Sequence, residues 1–154
     1  MNFLEQLTVE YYTYRGYWVH HNVRLSRLGI GGYDGRMELD VVALHPERNS
    51  LVHVEVGGGR GSWPQLESEY AKKKEGGKMA YQLLFPGVAL PSVRLRAIWE
   101  SAVMKDMGGW EVLPLRSFLQ EVDADLPERD FQDTSVNEQL PILRTLHLSR
   151  WLRL

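Results

Sequence analysis

The sequence predicts an α/β fold, a mixed β-sheet flanked by helices in the order αβββαββα. Three observations lead there. The stretch MELDVVALHPERNSLVHVEV holds two β-rich runs, Met37 to Leu44 and Leu51 to Val56, on either side of the turn-forming cluster HPERNS. That is the pattern of a hairpin. Upstream, Leu4, Leu7, Tyr11 and Tyr14 recur at helical spacing over Phe3 to Arg15. Downstream, Pro64 to Leu84 reads as a helix, and SVRLRAIWES, Ser92 to Ser101, reads as a strand after it. Hairpin neighbours pair antiparallel and a helix crossover favours a parallel pair, so the sheet should be mixed.

The remaining elements follow in chain order. Gly16 ends the first helix at the usual glycine stop position. Tyr17 to Leu25, YWVHHNVRL, is aromatic and β-branched and reads as the first strand. LGIGGYDGR is a glycine-rich connection without phosphate-loop spacing. Gly76 and Gly77 are a weak point in the long helix. Trp110 to Leu113 is a short strand and Leu115 to Val122 a helix. Residues 1–122 form the expected core domain, residues 123–135 an acidic, turn-rich linker, and residues 136–154 a C-terminal helical segment interrupted near Pro141.

The 154 residues are enough for one domain with a real core. No apolar run approaches a membrane span, and the N-terminus carries Glu5 and Glu10 rather than a basic leader. There are no cysteines, which excludes disulfides and thiolate metal sites and points to a reducing cytoplasm. With a net charge of −2, contact with nucleic acid would need a local basic patch.

The hairpin carries the most chemistry. Side chains alternate faces along a strand, so Glu38, Asp40 and Val42 share one face, as do Leu51, His53, Glu55 and Gly57. A turn centred between Glu47 and Arg48 sets Asp40 opposite Glu55, with Cβ atoms roughly 5 Å apart. Two carboxylates that close repel, and a divalent cation turns the repulsion into coordination. Mg²⁺ or Mn²⁺ is the expected cofactor, held by Asp40 and Glu55. The alternative is a solvated sheet face, against which stand Val42, Leu44 and Leu51 on that same face. Glu10 lies at the edge of the first helix's apolar stripe. If that helix covers the pair, Glu10 would hold a metal-bound water; otherwise it is an ordinary boundary glutamate.

A helix bearing a glutamate, then a strand, then ELDVVAL…LVHVEV resembles the PD-(D/E)xK nuclease superfamily, closest to its small resolvase-like and restriction-endonuclease-like members. The resemblance runs over Met1 to Leu113. It implies a restriction-endonuclease-like core and metal-dependent hydrolysis of phosphodiester bonds in DNA, with Asp40 and Glu55 as the motif carboxylates. It also implies a lysine two residues after the glutamate, where this chain has Gly57. Either the positive charge comes from elsewhere or catalysis is lost, leaving a nucleic-acid-binding or protein-interaction module.

Lys73 is the candidate replacement. It shares a helical face with Leu66 and Tyr70, and the family is known to move its lysine to this helix. Lys74 is the neighbour in doubt and Arg60 a weaker alternative, while a lysine run can also be a solvated face. Expected phosphate contacts are Arg60, Lys72, Lys74 and Lys78, with Arg94, Arg96 and Arg116 on the same basic rim. Arg144, Arg150 and Arg153 give the last helix a basic stripe that docks on the core, on a second subunit in a homodimer or larger complex, or on nucleic acid. His53 shares the face of Glu55, either as its partner or as simple packing.

Overall fold

The computed structural model describes residues 1–58, 60–100, 105–128 and 136–153. Gly59, Ser101, Leu154 and residues 129–135 of the expected linker lie outside the described residues. Helix α1 (Phe3–Tyr14) leads into strand β1 (Trp18–Arg24), a 3-10 turn (Leu25–Leu28), β2 (Glu38–His45) and β3 (Ser50–Gly58). Helix α2 (Trp63–Leu84) crosses to β4 (Val93–Trp99), followed by β5 (Lys105–Met107), β6 (Trp110–Pro114), α3 (Leu115–Asp125) and α4 (Pro141–Leu152).

The result is α/β, a mixed six-stranded sheet in the order β1-β2-β3-β4-β6-β5 with helices on both faces. The β1–β2–β3 meander is antiparallel, whereas β3–β4 and β4–β6 are parallel. The element order departs from the expected one. Strand β5 is additional: its three residues fold back on β6 around Gly108 and Gly109, too short to leave a period in sequence. Helix α3 and the C-terminal helical segment both form, but Pro141 starts α4 instead of interrupting it. Proline suits the first turn of a helix, where its missing N–H has no partner to lose.

Local chemistry accounts for the main helices. Asn2 and Glu5 form a reciprocal capping box at α1, and Ser62 and Gln65 do the same at α2. On one sheet face, Leu7, Tyr11 and Tyr12 of α1, Phe118 and Val122 of α3 and Leu143 of α4 pack on Val41, Ala43, Val52 and Val54. On the other, Leu66, Tyr70, Ala80 and Tyr81 of α2 pack on Val42, Leu44, Leu51, Leu95, Ala97 and Trp110. The alternation that assigns hairpin residues to faces therefore divides two helical layers.

Gly76 and Gly77 do not interrupt α2; they make room for Leu25 and for the Tyr81 hydroxyl beside it. A Cβ at Gly76 would stand 2.5 Å from Leu25 Cδ1, and one at Gly77 would stand 2.5 Å from Tyr81 Oη. Both glycines are buried in a helix that runs unbroken. Among the described residues no helix is long and apolar enough to cross a membrane.

Candidate active site

The β2–β3 register pairs Val41 with Val54, Val42 with His53 and Leu44 with Leu51, which sets Asp40 across from Glu55. There the ladder changes character. The Asp40 N–H donates to Glu55 Oε1 (3.2 Å), and the Val56 N–H donates to Asp40 Oδ2 (2.8 Å). Side-chain oxygens replace backbone carbonyls as acceptors, so the two strands part while the two carboxyl groups converge. Glu55 is 1% exposed, and Asp40 is half-buried.

Helix α2 covers this face and supplies the counter-charge. Lys73 Nζ is hydrogen-bonded to Glu55 Oε2 and to the Glu38 carbonyl (3.2 Å to the latter). Its side chain is 16% exposed. From the β3 side, His53 Nε2 meets Glu55 Oε1 at 2.7 Å, and His53 Nδ1 meets Tyr81 Oη at 2.7 Å. His53 is 0% exposed, so this chain from helix to carboxylate is closed to water.

The electrostatics follow from two carboxyl groups facing one ammonium. The Asp40 carboxyl is pushed up to about 8, first by burial and then by the Glu55 charge, against which Lys73 works. Once protonated, Asp40 can share a hydrogen bond with Glu55. Burial alone would raise Glu55 as well, but the His53 bond and the Lys73 ammonium outweigh it and hold Glu55 below the usual range. Lys73 is raised: burial opposes its charge, and Glu55 and Asp40 more than compensate. Without a divalent cation, the second negative charge of the pair is suppressed by a proton.

Two observations bear on whether the site suits a hard cation. Among the described residues, no group of three or more histidine, aspartate or glutamate side chains comes together to hold a metal ion. Mg²⁺ needs only one or two protein carboxylates, with waters and substrate phosphate completing its shell. Asp40 and Glu55 meet that requirement. Across β1, the flanking pairs His21–Val41 and Val23–Leu39 set Asn22 opposite Asp40. Asn22 has a left-handed backbone (φ 50°), and its buried Oδ1 has no hydrogen-bond partner. A pattern search has no reason to select an isolated asparagine, so sequence reading passed over it.

The other candidates divide sharply. Glu10 is on the opposite side of the sheet, because α1 packs on the Val41/Val54 face. Its Oε2 accepts the Ile142 and Leu143 N–H groups (2.9 and 3.0 Å), capping the first turn of α4. Glu10 is thus separated from the pair by the sheet and is in no position to hold water there. Lys74 turns toward the β5–β6 hairpin and donates to the Gly108 carbonyl (3.1 Å). Arg60, Lys72 and Lys78 are exposed. Lys72 lines a groove of about 470 Å³ with Met37, Pro64, Gln65, Ser68 and Glu69 on the flank of α2.

The expected basic rim is largely engaged in structural contacts. Arg96 is 1% exposed and forms a fork with Glu121 (3.0 and 2.6 Å) on the α3 face, and Arg94 pairs with Glu111. Arg150 donates to the Asp123 and Leu126 carbonyls at the end of α3.

The glycine run after Glu55 is accounted for at two positions. Gly57 has φ 79°, a left-handed conformation that disfavours side chains, and it sits where the β3–β4 register slips. A Cβ at Gly58 would stand 2.3 Å from Tyr70 Oη, which itself accepts the Trp99 indole N–H. The strand therefore breaks just beyond Glu55, and the position of the missing lysine is exposed.

No protein-family model matches this sequence, and comparison with curated proteins and with solved structures finds no match.

Proposed function

We propose that this chain is a metal-dependent nuclease with a restriction-endonuclease-like core, hydrolysing phosphodiester bonds in DNA. One observation carries the reading: the Lys73 ammonium lies on the Glu55 carboxylate and within reach of the Asp40 charge, on the sheet face where a lysine at position 57 would otherwise be needed. The element order from α1 to β4, a helix, a three-strand meander, a crossover helix and a parallel strand, supports it further.

In this mechanism Asp40 and Glu55 would hold Mg²⁺ or Mn²⁺, which would supply Lewis acidity to polarise the phosphate and acidify an attacking water. Asp40 must release its proton to serve as a ligand. Glu55 is kept ionised for the same role by His53 and Lys73. Lys73 faces the charge that develops on the phosphoryl oxygens, a task for which a preorganised ammonium in a poorly hydrated site is well suited. The backbone beyond Glu55 is open at Gly57, with no atom within 4 Å of a Cβ built there, which leaves room for the nucleic-acid strand to approach.

The test is cleavage of single-stranded, duplex and branched DNA by the purified protein, with Mn²⁺ and with chelator. Wild type should cut at least one substrate, and Lys73→Ala should cut it roughly 10²–10³-fold more slowly. DNA affinity should change little, because one phosphate contact among several contributes modestly. Wild type that binds DNA and cuts none would favour the second reading, a nuclease fold retained as a binding module. The Lys73–Glu55 ion pair also suits that reading, since it neutralises the site without metal.

A further inference from the structure

We propose that His53, backed by Tyr81, is a positioning residue that makes Glu55 a one-oxygen ligand and so selects Mg²⁺ or Mn²⁺ over Ca²⁺. The inference rests on the metal-dependent reading above and concerns how this chain presents one carboxylate. Glu55 Oε1 has two donors, His53 Nε2 at 2.7 Å and the Asp40 N–H at 3.2 Å. Those two bonds occupy both lone pairs of that oxygen. Only Oε2 is left, and Lys73 now meets it.

The hydrogen-bond directions are internally consistent. An ionised carboxylate only accepts, so Nε2 carries the hydrogen toward Glu55. The Tyr81 hydroxyl can then donate to Nδ1 at 2.7 Å, which leaves both imidazole nitrogens satisfied. Two further contacts hold the imidazole plane, edge-on rings of Tyr81 at 5.7 Å and Trp110 at 4.9 Å.

The fold accepts a cost to make this arrangement. Position 77 lies within α2, where glycine is a poorer helix former than alanine. An alanine there would put its Cβ 2.5 Å from Tyr81 Oη and 3.1 Å from His53 Nδ1. Glycine at 77 is what lets the hydroxyl reach the imidazole.

The consequence is selectivity by ligand geometry. Ca²⁺ takes six to eight oxygens and commonly grips a carboxylate by both, whereas Mg²⁺ wants near-octahedral, single-oxygen contacts. A Glu55 with Oε1 already engaged cannot serve as a two-oxygen ligand. Partners of this kind typically contribute 10–100-fold to metal affinity.

The experiment is calorimetric titration of the folded, metal-free protein with Mn²⁺ and separately with Ca²⁺. Wild type, Asp40→Ala, His53→Leu, His53→Gln, Tyr81→Phe and Gly77→Ala are compared, and thermal melting verifies folding. Wild type should bind Mn²⁺ more tightly than Ca²⁺. His53→Leu should lose roughly 10–100-fold in Mn²⁺ affinity, with Ca²⁺ affinity reduced less, so the Mn²⁺/Ca²⁺ ratio falls. His53→Gln, which retains a donor, should recover part of the ratio. Tyr81→Phe and Gly77→Ala disturb His53 without touching Glu55 and should lower the ratio in the same direction; they decide the matter if His53→Leu does not fold. Wild type that binds Mn²⁺, with a ratio unchanged in these variants, would overturn the positioning role and leave the nuclease reading standing. Wild type that binds no Mn²⁺, like Asp40→Ala, would overturn both.

Discussion

The two faces of the sheet each bury a charged network, and the networks differ in balance. On the α1/α3 face, Arg96 is held by the Glu121 fork and by Tyr12 Oη (3.1 Å), while Tyr11 donates to Asp125 (2.5 Å) and Arg15 lies beside that carboxylate. Arg96 is raised in spite of its burial by those bonds. On the α2 face, two carboxyl groups converge on one lysine, and Asp40 is left protonated near neutrality. Buried charge alone does not identify a functional site. The informative feature is two carboxyl groups held against each other with a single ammonium beside them.

Breaking each network should have opposite consequences. Asp40→Ala should abolish Mn²⁺ binding and Mn²⁺-dependent cleavage without a large loss of folding stability, because losing the acceptor for the Val56 N–H is offset by relief of a buried carboxyl held above its ordinary range. Arg96→Met should do the reverse. It strands Glu121 and should destabilise by about 3 kcal/mol, near the low end for a broken buried pair because Glu121 is partly solvated. Its Mn²⁺ affinity should match wild type. Paired urea melts and metal titrations check both variants, and a large stability loss in Asp40→Ala would erase the contrast.

The pH dependence of the metal-free protein sharpens it further. An aspartate in the unfolded chain titrates near 3.9, whereas Asp40 in the fold is raised to about 8. Between those values the folded protein holds a proton that the unfolded chain has released. By linkage, this contribution to stability is fully present at low pH and falls as pH rises through the folded value. Urea melts in chelator should therefore show a downward slope with pH across that window. Asp40→Asn should remove that component of the slope, and an identical slope in both proteins would show that Asp40 is not raised.

The smallest expected effect is at Glu10. Glu10→Ala removes the acceptor for two N–H groups of α4 and should cost about 1 kcal/mol, the usual value of a lost helix cap. Glu10→Gln should recover part of it, and cleavage should be unaffected in both. A loss of cleavage at wild-type stability would return Glu10 to the active site.

What the sequence determined by itself was local and periodic. Alternation along two strands and a turn centred between Glu47 and Arg48 were enough to set Asp40 opposite Glu55 and to put His53 on the same face. Helical spacing was enough to separate Lys73 from Lys72. These relations depend only on backbone repeat lengths, which hold wherever the element is packed. Tertiary structure decided the rest. A helical wheel ranks Glu10 against its neighbours but cannot say which side of the sheet the helix will cover. Burial of Leu7, Tyr11 and Tyr12 against Val41 and Val54 put α1 on the far side and turned a candidate ligand into a cap. Arg96 read as rim and became core because Glu121, 25 positions away in sequence, supplied its counter-charge. The bonds from His53 to Tyr81 and from Lys73 to Glu55 likewise join β3 to the crossover helix. Such contacts are selected by packing the apolar faces of whole elements together, and no local period in the chain encodes them.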